Sequence, residues 1–186
     1  AYLEHFHRAR EAPVHCALGN HDLVAAIPED GALAAKDPRA VFRSRLGVER
    51  TFRSLDAGGY HLVLLDPVEV VGGDLKYRGW VGEEQLAWLD QDLGAVDAAT
   101  PVVLVTHMPL LTAFYQATEG TECPAPANRA VVNNLAVLER FAGRNLLLVL
   151  QGHLHVDETL RWRDTTFIAG GAVCGKWWRG PWHGTQ

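Results

Sequence analysis

Short apolar runs that alternate with amphipathic helical patterns limit most strongly how this chain can fold. Residues 102–106 and 146–150 are apolar runs of strand length, and residues 83–93 carry three leucines on one helical face before Gly94 ends the pattern. Strands that are buried on both faces and joined through helices form partly parallel α/β sheets. The sequence therefore predicts an α/β fold.

Two hairpins are expected within this α/β pattern. Short extended runs at residues 51–55 and 60–66 flank a glycine-containing turn, and residues 159–162 and 165–169 form a similar pair. Hairpins contribute antiparallel pairs, so the sheet is predicted to be mixed.

The remaining segments connect and border these elements. The spacing predicts an amphipathic helix end at residues 2–9, a strand at 14–18 and a long excursion at 23–50 of the kind that borders a site. A loop at residues 109–128 leads to a helix expected over 131–141.

Composition excludes several classes of protein. With 186 residues, 48% of them hydrophobic and 21% charged, the chain suits one globular domain. A net charge of −5 argues against general nucleic-acid binding, and the apolar runs are too short for a transmembrane segment. Three cysteines without metal-ligand spacing indicate no disulfide framework. Localisation and oligomeric state stay open.

Polar side chains follow three of the predicted strands. Asn20 and His21 come after the first strand, His107 after residues 102–106, and His153 and His155 after residues 146–150. Open α/β sheets build their binding crevices beyond the carboxyl ends of strands. If these strands are neighbours, five potential ligands or acid–base groups meet at one place.

Imidazole and amide ligands indicate metal-assisted hydrolysis. They suit Zn, Mn or Fe(II), and two such ions about 3.5–4 Å apart clamp a phosphate and lower the pKa of a bound water. Two cations held without carboxylates repel each other, and no Asp or Glu occupies a matching position before Gly19. Asp66 ends a strand, but Pro67 follows it and no other ligand type is nearby.

The motifs "LGNHD", "VTHMP" and "QGHLH", in that order, resemble the later motifs of the calcineurin-like metallophosphoesterases. The stretch "TFRSLDAGGYHLVLLD" followed by "EEQLAWLDQDL" is also similar to that family, and the resemblance covers residues 14–175. It implies a four-layer α/β/β/α sandwich with mixed sheets and a dinuclear site for two divalent metal ions (Mn, Fe or Zn).

The resemblance also implies roles for individual residues. Asn20, His107 and His153 would ligate one metal, and His155 would ligate the other. His21 would stand near the scissile phosphate as general acid or electrostatic stabiliser.

Asp22 would orient the imidazole of His21. A metal-activated water would then attack the phosphorus of a phosphate mono- or diester, in a small molecule or a phosphorylated substrate.

The family pattern begins with an Asp-x-His block and a Gly-Asp block, and neither is present in this sequence. Residues 1–186 are therefore expected to be an N-terminally incomplete catalytic domain that begins inside a longer protein and is inactive or strongly impaired alone. The aromatic stretch at 176–186 either forms a junction to a further domain, lines a cleft or packs at the domain edge.

Other interpretations remain for the same residues. A catalytically incomplete sandwich that binds a single metal or a partner is the alternative function, and a zinc peptidase is disfavoured because no His-Glu-x-x-His motif is present. Taken alone, His107 and His153 fit hydrogen-bonded structural histidines. Asn20 fits a turn and Asp22 a helix N-cap.

Overall fold

A computed structural model of the chain describes residues 12–26 and 37–172. Within these ranges a 3-10 helix at Asn20–Ala26 precedes four α-helices and eight strands. The α-helices are α1 (Ala40–Leu46), α2 (Glu83–Gly94), α3 (Phe114–Glu119) and α4 (Asn134–Glu139). The strands are β1 (Arg53–Ala57), β2 (Tyr60–Leu64), β3 (Val68–Gly72), β4 (Lys76–Gly79), β5 (Pro101–Val105), β6 (Asn145–Gln151), β7 (Glu158–Trp162) and β8 (Thr165–Ala169).

Six strands form one mixed sheet in the order β1-β2-β5-β6-β8-β7. The four central strands β2, β5, β6 and β8 run parallel, and the edge strands β1 and β7 pair antiparallel with their neighbours. Since β5 and β6 are parallel neighbours, with Val105 opposite Leu150, the loops after them leave the sheet at the same edge. That edge carries the polar motifs.

The core lies between this sheet and the apolar face of α2. Leu89 of α2 and Leu104 of β5 are fully buried in the same cluster, together with Val149 of β6 and Phe167 of β8. Full burial of one such side chain contributes about 1.5–3 kcal/mol. The strands that hold the site are therefore fixed by the core.

A second, two-stranded sheet consists of β3 and β4, with Val70 opposite Tyr77. Gly79 at the end of β4 is tied to the loop at residues 127–132 on both sides. Its N–H donates to the carbonyl of Ala127 at 2.8 Å, and its carbonyl accepts from the N–H of Val132 at 2.8 Å. The small sheet and this loop therefore form one connected unit beside the main sheet.

The predicted mixed α/β architecture is confirmed by the six-stranded sheet and the second sheet. Both predicted hairpins and the helix that became α2 are also confirmed. The strand predicted at residues 14–18 was wrong, because this apolar segment joins no strand ladder within the described ranges. Apolar content alone does not provide a pairing partner.

Other expectations fall outside the described residues. These are the helix at residues 2–9, residues 27–36 of the predicted excursion and the aromatic stretch at 176–186. In the described part of the chain, no helix has the length and apolar character needed to cross a bilayer.

Candidate metal centre

Three side-chain donor atoms converge at the carboxyl edge of the main sheet. The Nε2 atom of His107 lies 2.7 Å from the Oδ1 atom of Asn20 and 3.1 Å from the Nδ1 atom of His153. His107 follows β5 and His153 follows β6, so the parallel pairing of these strands brings the two rings together. The sequence placed all three residues at one edge, and the structure brings them into contact.

Gly19 allows Asn20 to approach His107. A Cβ atom at position 19 would lie 3.1 Å from Nδ1 and 3.2 Å from Cε1 of His107, which is tighter than ordinary van der Waals contact. The Oδ2 atom of Asp22 accepts a hydrogen bond from the N–H of Gly19 at 2.8 Å. Asp22 therefore holds the turn that leads into the 3-10 helix and places Asn20 opposite the histidines.

The ring of His153 is oriented by a backbone contact. Its Nε2 atom donates to the carbonyl of Asn128 at 2.9 Å, so in the neutral ring the Nδ1 atom carries the lone pair that faces His107. Both His153, at φ 73°, and His155, at φ 57°, have left-handed backbone. Such strained residues are concentrated at functional sites, where the surrounding structure stabilises them.

The electrostatic environment keeps the two contacting imidazoles neutral. Burial, assisted by electrostatic repulsion from the neighbouring imidazoles of His153, His21 and His155, lowers the pKa of His107 to about 3. Burial also lowers the pKa of His153 to about 4. The hydrogen bond to Asn128 acts in the opposite direction, and the positive charge of Arg129 adds to the lowering. A neutral imidazole is the form that binds a metal ion.

His21 and His155 lie close enough to change the ionisation of His107 and His153 electrostatically. His21 is exposed, at the second position of the 3-10 helix, and His155 is half-buried. His21 and His155 therefore lie in the surroundings of His107 and His153, but the described histidines form no group of three or more that is arranged to hold an ion.

Two residues at this centre were missed by the sequence analysis. The hydroxyl of Tyr77 accepts a hydrogen bond from Nδ2 of Asn20 at 3.1 Å, and the backbone carbonyl of Asn128 holds His153. Burial raises the pKa of Tyr77, partly offset by Arg129 and the contact with Asn20, so its hydroxyl stays protonated. A backbone carbonyl has no sequence signal, and β4, which carries Tyr77, was not predicted.

The donor set fits one divalent ion. Ligand atoms that surround an ion at about 2.0–2.1 Å lie roughly 3 Å apart when adjacent, and the two observed separations of 2.7 and 3.1 Å match this value. Among the described residues, no group of three or more His, Cys, Asp and Glu side chains is arranged to hold an ion. These three residues thus bring one amide oxygen and two imidazole nitrogens together, and the described residues add no carboxylate that would bridge two ions.

A family model for calcineurin-like phosphoesterases matches residues 1–157. Among solved structures, a phosphopantetheinyl hydrolase from Mycobacterium tuberculosis is similar at 17% identity and a TM-score of 0.55, covering 83% of this chain and 68% of that chain. A dimetal phosphatase from Danio rerio is 20% identical with a TM-score of 0.49. That match covers 65% of this chain and 49% of the Danio rerio chain, so this chain spans about half of its length. No curated protein matches the sequence.

Proposed function

The chain belongs to the calcineurin-like phosphoesterase family, and from that premise we propose that it takes part in metal-dependent hydrolysis of phosphate mono- or diesters at Asn20, His107 and His153. One observation carries this proposal: Nε2 of His107 lies 2.7 Å from the amide oxygen of Asn20 and 3.1 Å from Nδ1 of His153. These donors suit Mn, Fe or Zn.

The metal-free side chains are arranged for this use. The hydrogen bond from His153 to Asn128 leaves Nδ1 free of a proton, and burial keeps both imidazoles neutral near pH 7. A divalent ion bound there supplies charge neutralisation for phosphate oxygens and a lowered pKa for an attacking water.

In this proposal the residues around the three donor atoms bind the substrate, protonate its leaving group or hold the residue that does so. His21 is exposed, and in this proposal it donates a proton to the departing oxygen of the ester. Asp22 acts through the backbone of Gly19, since its carboxylate holds the turn that carries His21. The cationic side chain of Arg129, which acts electrostatically on Tyr77 and His153, attracts the phosphate anion.

Hydrolysis of a generic aryl phosphate and the corresponding diester, with Mn²⁺ added, tests this function. His107→Ala removes a donor at the centre and is expected to abolish even the impaired activity expected of this chain, whereas His15→Ala, at an exposed position outside the centre, is the matched control. Activity retained in His107→Ala would overturn the assignment of the centre. The phosphate monoester and diester rates together identify the substrate class.

We propose further that His155 ligates a second ion, which makes the site dinuclear. The support is its electrostatic proximity to His107 and His153 and the left-handed backbone that both loop histidines share. Elemental analysis after loading with Mn²⁺ is expected to give less metal per His155→Ala chain than per wild-type chain. An equal metal content in the two proteins would refute the role of His155.

The described residues also support an alternative. Because no carboxylate joins Asn20, His107 and His153 there, a module that binds one metal ion without efficient hydrolysis is the second candidate. A single ion per wild-type chain, without turnover of either ester, would favour this module over the enzyme.

A further inference from the structure

The side-chain amide of Asn20 is held at both ends. Its Oδ1 atom faces Nε2 of His107 at 2.7 Å, and its Nδ2 atom donates to the hydroxyl oxygen of Tyr77 at 3.1 Å. Asn20 is only 9% exposed, so water has little access to replace either partner. The two contacts together determine which amide atom faces the centre.

The choice of amide atom decides whether Asn20 can ligate. The amide oxygen has lone pairs for a metal ion, whereas the NH₂ group of the same side chain has only donor hydrogens. An ion at the centre requires the oxygen inward and leaves the NH₂ group pointing away into a buried region. That group needs an acceptor, because a buried donor without a partner is costly.

Tyr77 supplies this acceptor from a fixed position. Its ring packs edge-on against the ring of His153 at a centroid distance of 6.2 Å, and its backbone pairs with Val70 in the small sheet. The same side chain therefore touches two of the three residues that converge at the centre.

The small sheet that carries Tyr77, together with the loop attached to it, also orients His153. Gly79, two residues after Tyr77, is hydrogen-bonded to Ala127 and Val132, and between these two residues lies Asn128, whose carbonyl accepts from His153. Asn20 and His153 are thus both oriented by the small sheet and its attached loop. Groups behind metal ligands commonly change metal affinity 10–100-fold when they are removed.

We propose that Tyr77 is a positioning residue that directs the amide oxygen of Asn20 into the metal centre by accepting a hydrogen bond from its NH₂ group. This role rests on the proposed function, because it requires that Asn20 binds a metal ion. It assigns a specific task to strand β4, and this strand lies outside the family motifs of the sequence.

Titration of the metal-free 186-residue chain with Mn²⁺ alone, followed by calorimetry, tests the proposal. Tyr77→Phe is expected to weaken Mn²⁺ binding by about tenfold or more. Tyr60→Phe removes the same hydroxyl from a side chain that is 43% exposed on β2, and it is expected to leave binding unchanged. Equal affinity in Tyr77→Phe and the wild type would overturn the positioning role.

A double-mutant cycle separates positioning from packing. In Asn20→Asp both ends of the side chain are oxygens, so orientation no longer matters, and adding Tyr77→Phe is expected to change Mn²⁺ affinity little. An equal loss of affinity on adding Tyr77→Phe to the wild type and to Asn20→Asp would mean that Tyr77 acts through packing, which contradicts the proposal.

One further measurement and one further outcome of the titration keep the test decisive. If Tyr77→Phe does not fold, hydrogen exchange of the Asn20 side-chain NH₂ in the wild type, before and after Zn²⁺ addition, replaces it. Continued protection supports the contact with Tyr77, and loss of protection on metal binding overturns it. Absence of any metal binding by the wild type would refute the proposed centre itself, an outcome distinct from failure of Tyr77→Phe alone.

Discussion

Gly79 lies so close to the backbone of Ala130 that a Cβ atom at position 79 would come within 2.2 Å of the Ala130 carbonyl oxygen. It would also lie 2.9 Å from the Cα atom of Val131. Both neighbours are backbone atoms, so no side-chain rotation can relieve the clash. Close packing at Gly79 therefore holds β4 against the loop that carries Asn128.

Gly79→Ala is expected to destabilise the protein by about 1–3 kcal/mol, because added volume at a packed position forces the backbone apart. It is also expected to weaken Mn²⁺ binding, since Tyr77 and Asn128 shift with the unit. Urea unfolding and calorimetric titration measure the two effects. Gly82→Ala is the matched control, because a Cβ atom there meets no atom within 4 Å. Equal stability of the two variants would contradict this account of Gly79.

His61 connects β2 to two carboxylates at the end of the sheet opposite the metal centre. Its Nδ1 atom lies 2.7 Å from Asp56 and its Nε2 atom 2.8 Å from Asp92. Burial lowers the pKa of His61, but the hydrogen bonds to Asp92 and Asp56 outweigh it, and the net pKa is raised above 6.5. Only the protonated ring donates to both carboxylates at once.

A raised pKa means that the folded state binds this proton more tightly than the unfolded state. The contribution of His61 to stability is therefore fully present below pH 6.5 and is lost as the pH rises through its folded pKa. Urea unfolding of the metal-free chain across this range is expected to show a smaller pH dependence in His61→Gln than in the wild type. His15→Gln, at an exposed position, should retain the wild-type dependence. A wild-type slope in His61→Gln would contradict the prediction.

Asp66 is a buried structural carboxylate. Its side chain is 1% exposed and accepts from Arg39 at 2.5 Å, from Thr51 at 2.6 Å and from the N–H of Val68 at 3.1 Å. Asp66→Asn keeps the volume but turns an NH₂ group towards one of these donors. We expect a loss of about 2–4 kcal/mol in unfolding free energy, at the lower end of this range because Arg39 is 29% exposed and can regain water.

The exposed ion pair between Asp37 and Arg43 provides the comparison for Asp66. Asp37→Asn is expected to change the denaturant midpoint far less than Asp66→Asn, because both members of the pair stay solvated. Similar losses in the two variants would show that burial does not set the importance of Asp66.

The position of the site was predictable because it depends on strand order and strand ends. Buried apolar runs predicted strands before His107 and His153, and the expected convergence required these strands to be neighbours, as β5 and β6 are. Their carboxyl ends must then meet, so the two histidines lie together. Asn20 also contacts His107, but the strand that was expected to place it there, at residues 14–18, does not form.

The surroundings of the site were not predictable, for two physical reasons. The strands β3 and β4 are only five and four residues long, and their glycines and charged residues interrupt any alternation of polar and apolar side chains. Tyr77 was therefore not connected with Asn20. The left-handed backbone of His153 and His155 was not predicted either, because histidine adopts it more often than most residues but still only in a small minority of cases.

Asp66 shows a different limit of the sequence. Its place at a strand end is that of a potential ligand, but the side chain turns into a network with Arg39 and Thr51. Whether a strand-end carboxylate faces the cleft or the protein interior depends on side-chain packing that no linear pattern contains.

His21 is expected to act as a proton donor and not as a metal ligand, since its side chain is exposed. A departing alkoxide needs that proton far more than a departing nitrophenolate does. His21→Gln is therefore expected to lower kcat/KM for alkyl phosphates by about 10²–10⁴-fold, with a much smaller loss for aryl phosphates that carry good leaving groups.

A series of phosphate esters with leaving groups of increasing pKa measures this dependence, and elemental analysis of the same preparations measures the metal. The slope of log kcat/KM against leaving-group pKa should become steeper in His21→Gln while the metal content stays at the wild-type value. A uniform loss across the series would assign His21 to substrate binding, and a lower metal content would make it a ligand. Either result would contradict proton donation, because a general acid changes the rate in proportion to the basicity of the group it protonates.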